Sequence, residues 1–107
     1  MKDQVTSQKI QEVADKIARE YQPEKIILFG SWAWGKPHKD SDADLFVVKN
    51  EDKPQIEMMR DVDRIILDRD MPVDIMVYKS QQLKKREELG DPFILRIINF
   101  GKVLYER

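Results

Sequence analysis

The spacing of its apolar runs restricts this chain to few folds. Three runs of strand length, Lys25-Ile26-Ile27-Leu28-Phe29, Asp42 to Lys49 and Val73 to Tyr78, are punctuated by Gly30, by the turn-like stretch Asn50 to Pro54 and by Asp70-Met71-Pro72. The first two runs are joined by too little chain for a full crossover helix, which argues against a doubly wound sheet. Ile10, Val13, Ala14, Ile17, Ala18 and Tyr21 recur at spacings of three and four, one apolar stripe on an opening helix that Pro23 stops. Ile56, Met59, Val62, Ile66 and Leu67 fit a second amphipathic helix between the later strands. Ser80 is the expected N-cap of a charged helix through Leu89, and Gly90-Asp91-Pro92 separates it from an apolar helix around Phe93 to Asn99. Gly101 to Tyr105 is an expected edge strand. The pattern predicts an α+β fold, a small mixed β-sheet with helices packed on one face, formed by a single domain over residues 1–107.

Composition narrows the function. Of 107 residues, 41% are hydrophobic and 36% charged, enough for a packed core under a charged surface. Nineteen Lys plus Arg against 20 Asp plus Glu leave a net charge of -1, so no overall field favours nucleic acid or an anionic membrane. The absence of cysteine removes disulfides, thiolate nucleophiles and Cys-ligated metals. With one histidine, His38, in a Pro/Lys loop, a His-rich metal site or a Ser-His-Asp triad has little to rest on. No N-terminal apolar region and no stretch near the roughly 20 apolar residues of a membrane span occur, so a cytoplasmic protein is expected.

Carboxylates are what remain for metal chemistry. Asp42 and Asp44 lie two apart at the start of a strand, on one face and about 7 Å apart along the chain. That spacing can hold one or two hard cations, and magnesium takes its other ligands from water and substrate phosphates. Asp74 interrupts the third apolar strand on the face shared by Met76 and Tyr78, where a carboxylate is costly unless paired or metal-bound. If the second and third strands are neighbours, the three carboxylates converge into the ligand set of a two-metal displacement at phosphorus. Gly30-Ser31 follows the first strand at the opening of a short helix, placing backbone N–H groups and a hydroxyl where a phosphate can sit. Asp40 is read as a surface residue, Trp32 and Trp34 as packing or partner-facing residues, His38 as an exposed loop residue and Lys84 to Glu88 as a solvated helix face.

Gly30-Ser31, ten residues, Asp42-x-Asp44 and a later strand carrying Asp74 together resemble the DNA polymerase beta type nucleotidyltransferases. Size and the string GSWAWGKPHKDSDADLFVV are similar to the minimal nucleotidyltransferases within that superfamily. The resemblance implies ATP or another nucleoside triphosphate as substrate, Mg2+ in a two-metal site and nucleotidyl transfer with pyrophosphate leaving. It implies that Asp42 and Asp44 hold the metals that clamp the triphosphate and the α-phosphate. Asp74 would bind the catalytic metal and help deprotonate the incoming hydroxyl, while Gly30 and Ser31 seat the β- and γ-phosphates. Many relatives carry a basic residue where this chain has Trp34, and Lys36 or His38 are the expected substitutes. Short proteins of this kind also resemble the antitoxin half of HEPN/MNT toxin–antitoxin pairs, which implies a small helical HEPN ribonuclease as partner. Phe46, Met76 and Tyr78 offer an apolar surface for such a partner or for self-association. Two other readings stand beside enzymatic transfer to a partner: a weakly active or inactive module that masks a partner's active site, and adenylylation of small-molecule antibiotics, for whose acceptor this length leaves no second domain.

Overall fold

A computed structural model describes residues 5–37 and 41–107. Helix α1 (Ser7–Tyr21) starts where Thr6 Oγ1 accepts the Lys9 N–H at 3.1 Å, an N-cap that satisfies one orphan donor. Its buried side chains, Ile10, Ala14, Ile17 and Tyr21, belong to the apolar stripe read from the sequence. The helix ends at Gln22 in the left-handed region (φ 53°) just before Pro23, and Lys49 Nζ donates to the free carbonyls of Tyr21 (2.7 Å) and Gln22 (3.2 Å).

The chain then runs β1 (Lys25–Phe29), α2 (Ser31–Trp34), β2 (Ala43–Val48), α3 (Gln55–Ile65), β3 (Val73–Tyr78), α4 (Ser80–Glu88), α5 (Pro92–Phe100) and β4 (Lys102–Glu106). Ser80 is not the cap expected of it: Lys79 holds that position, and the cap is made by Asn50. Asn50 Oδ1 accepts the Ser80 N–H at 2.9 Å and Nδ2 donates to Ser80 Oγ at 3.0 Å. Parallel pairing of β2 with β3, with Val48 opposite Tyr78, carries Asn50 to this helix start, a contact that no local pattern announces.

The sheet order is β3-β2-β1-β4. The short β1–β2 connection gives an antiparallel pair, whereas α3 serves as the crossover that makes β2 and β3 parallel. Strand alternation sorts the side chains between two cores. Ile26, Leu28, Leu45 and Val47 pack with Ile10, Ala14 and Ile17 of α1 and Met58 and Val62 of α3. Ile27, Phe46 and Val48 pack with Ile94 and Ile97 of α5 on the opposite face. The two longest helices therefore share one face, as the sequence predicts, and α5 adds a partial cover on the other.

That cover corrects one expectation. Phe46 is fully buried beneath α5 and against Tyr78 (ring centroids 4.9 Å apart), so it is core rather than open partner surface. Removing such a ring from water contributes on the order of 2–3 kcal/mol. The turn from α5 into β4 depends on Gly101, where a Cβ would lie 2.5 Å from the Ile97 carbonyl and 2.6 Å from Ile27 Cγ2. Among the described residues no helix is long and apolar enough to cross a membrane.

Candidate active site

The site begins at the β1–α2 junction. Gly30 has φ +77° and ψ -158°, a conformation that L side chains avoid, and its carbonyl accepts the N–H groups of Ala33 (2.9 Å) and Trp34 (3.1 Å) to start the turn of α2. A Cβ on Gly30 would collide with Asp44 Oδ2. Glycine is thus required twice here, for its backbone angle and for the closeness of a carboxylate. Trp32 packs on the first core and its Nε1 donates to the Ser41 carbonyl at 3.2 Å, tying the chain just before Asp42 back to α2.

Asp44 occupies the centre of a row across three strands: its Cα partners are Phe29 on β1 and Asp74 on β3. Asp42 precedes β2 by one residue and shares the Asp44 face through period-2 alternation. The neighbour condition on which the convergence of the three carboxylates depends is therefore met. The burial cost that the sequence assigns to Asp74 falls instead on Asp44, which is half-buried, whereas Asp42 and Asp74 are exposed at the rim. Asp44 is pushed up to about 6, first by desolvation, then by the charges of Asp74 and Asp42, and finally by a hydrogen bond with Asp74. Among the described residues none of the three has a Lys or Arg within ion-pair distance.

Among the described residues no three carboxylate or imidazole groups are drawn into a ready-made metal cage. The donor set nevertheless fits magnesium: all-oxygen, anionic and partly open, leaving positions for water and substrate oxygens. A hard cation would offset the desolvation of Asp44 and, after it, the repulsion from Asp74 and Asp42. A surface hollow of about 520 Å³ lined by Asp15, Ala18, Arg19, Gln22, Tyr105 and Arg107 includes none of these carboxylates. At the carboxylate row, charge, the positive-φ Gly30 and the strand register meet.

His38 and Asp40 lie outside the described residues, and Lys36 is exposed. The sequence reading missed Arg96, whose Cζ sits 4.8 Å from the centroid of the Trp34 ring. The available signal was its isolation as the one charge in the apolar helix PFILRIINF.

The model of a family described as Polymerase beta, Nucleotidyltransferase matches residues 8–107 of this chain. The chain belongs to that family. Its fold is shared with a candidate nucleotidyltransferase from Sulfolobus solfataricus (20% identity, TM-score 0.65, covering 94% of this chain and 79% of the other). It is also similar to a toxin–antitoxin crystallised with AMP-PNP (23% identity, TM-score 0.54, 91% and 73% covered). A third similar structure is an MntA-HpeT toxin–antitoxin mutant in which two aspartates two residues apart are changed to glutamate (20%, TM-score 0.53, 91% and 73%). Comparison with curated proteins gave no match. Within this nucleotidyltransferase the carboxylate row stands at the position where the sequence motif and the sheet register meet.

Proposed function

We propose that this nucleotidyltransferase, one domain over residues 1–107, moves AMP from ATP to a hydroxyl on a partner protein in the cytoplasm, as the antitoxin of a HEPN ribonuclease toxin. The observation that carries the reading is the uncompensated row of Asp42, Asp44 and Asp74 beside Gly30. The toxin–antitoxin structures of similar fold support a partner protein and a nucleotide.

Asp42, Asp44 and Asp74 would hold magnesium, which supplies the positive charge that a triphosphate and its displaced pyrophosphate require. The Gly30 and Ser31 backbone and the Ser31 hydroxyl seat the β- and γ-phosphates, leaving the α-phosphorus over the carboxylate row. The acceptor hydroxyl oxygen bonds to the α-phosphorus, the bond to the bridging oxygen of the β-phosphate breaks, and pyrophosphate departs with that electron pair. Asp74, exposed at the rim, accepts the hydroxyl proton. Catalysis is chiefly positioning and charge neutralisation.

A second reading is favoured by Trp34 in the helix beside the phosphate position: a module that inhibits its partner by covering it. Incubation with α-labelled ATP, magnesium and the protein encoded beside it separates the two. Transfer of label by wild type and none by Asp44→Asn supports the enzyme. Full inhibition of the partner without ATP, retained by Asp44→Asn, supports masking and refutes the enzymatic account.

A further inference from the structure

Arg19, Arg64, Arg69, Arg86 and Arg107 each lie within 4 Å of a carboxylate. Among the described residues Arg60 and Arg96 have no such partner, and of these two it is Arg96 whose guanidinium lies over an aromatic ring, that of Trp34. A guanidinium held over a ring in this way satisfies none of its N–H groups with an oxygen, and Arg can offer such donors in pairs to an anion. The aromatic contacts locate it. Trp34 lies 6.4 Å from Phe29, Phe93 stands edge-on to Phe29 at 5.6 Å one turn before Arg96, and Phe29 is the Cα partner of Asp44. Arg96 therefore lies on the carboxylate face of the sheet, one aromatic row away from Asp44. Ser31 and Trp34, three apart in α2, place the phosphate position and the ring that carries Arg96 on one side of that helix.

We propose that Arg96 is a phosphate-binding residue of the nucleotide site, with Trp34 as the positioning residue that holds its guanidinium. The inference rests on the nucleotidyltransferase reading and adds to it a cation supplied by the protein on the same face of the sheet, at the end of the site away from the carboxylates. A triphosphate lying from the carboxylate row toward α2 then meets positive charge at both ends, which a near-neutral chain cannot provide through its overall field. Lys would replace it only in part, because an ammonium keeps the charge but does not offer the paired donors of a planar fork.

Binding of Mg-ATP and of magnesium tripolyphosphate, measured by calorimetry on the full chain, tests this. Arg96 is exposed, so Arg96→Ala leaves the fold intact. Expected is a loss of about tenfold for both ligands in Arg96→Ala, and a smaller loss in Arg96→Lys and in Trp34→Leu. Unchanged affinities in Arg96→Ala, with wild type binding normally, overturn the inference and leave the nucleotidyltransferase reading standing. A loss confined to ATP also overturns it, because the contact would then be to the base. Binding of neither ligand by wild type refutes the nucleotidyltransferase reading and this inference together.

Discussion

Asp44→Asn should stabilise the metal-free protein at neutral pH. The substitution keeps the shape of the side chain while removing the central charge of the row, and its amide can donate to Asp74. In the folded chain Asp44 protonates at about 6, above its ordinary value of 3.8. The folded state therefore holds its proton over a window in which the unfolded state has lost it. For a group raised in this way the associated stability is fully present below about 4 and is lost as pH rises through about 6. Two pH units at about 1.4 kcal/mol each amount to about 3 kcal/mol. Solvent reaches this half-buried carboxylate, and screening reduces the effect to about 1 kcal/mol. For a chain of this length that is about 4 °C in melting temperature. Thermal unfolding by circular dichroism in EDTA, repeated from pH 4 to pH 8, should show Asp44→Asn more stable than wild type at pH 7.5 and equal to it near pH 4. Millimolar magnesium should narrow the gap at pH 7.5 by stabilising wild type alone. An Asn variant that melts at or below wild type at pH 7.5, or a difference that does not vary with pH, would refute the reasoning that the row stores uncompensated charge.

Two shorter predictions follow from neighbouring features. Gly30→Ala should abolish transfer and destabilise the fold by about 1–3 kcal/mol, because a methyl group there meets both a positive φ and the Asp44 carboxylate; chemical denaturation measures it. Tyr21 has its hydroxyl buried against Glu51, neither group satisfying hydrogen-bond geometry, and desolvation followed by Glu51 raises its ionisation far above the ordinary 10. Ultraviolet titration should therefore show one of the three tyrosines ionising only as the chain unfolds in alkali, with stability falling as pH rises above 10.

The elements were legible because their periods differ. The three- and four-residue spacing of Ile10 to Tyr21 marks a helix, the run Lys25 to Phe29 ended by Gly30 has the length of a strand, and the short link to Asp42 leaves no room for a crossover helix, in keeping with the antiparallel pair. Asp42, Asp44 and Asp74 could be placed on one face by alternation once β2 and β3 were neighbours, and the register puts Asp44 directly opposite Asp74. What the sequence could not reveal are contacts made by distant parts of the chain. Asn50 caps α4 only because two strands end side by side, and Phe46 is covered only because α5 folds back on it. The same folding back brings Arg96 onto Trp34. The burial cost moved from Asp74 to Asp44 because an edge strand leaves its first residues to solvent while the adjacent β2 is enclosed on both sides.

The central claim is that Asp42, Asp44 and Asp74 form one metal and nucleotide site. Its most direct test is electron paramagnetic resonance of manganese, standing in for magnesium, titrated with a non-hydrolysable ATP analogue into wild type, Asp42→Asn, Asp44→Asn and Asp74→Asn. The account predicts nucleotide-dependent manganese binding by wild type that is weakened at least tenfold by each substitution. Equal manganese binding by all four proteins would contradict it.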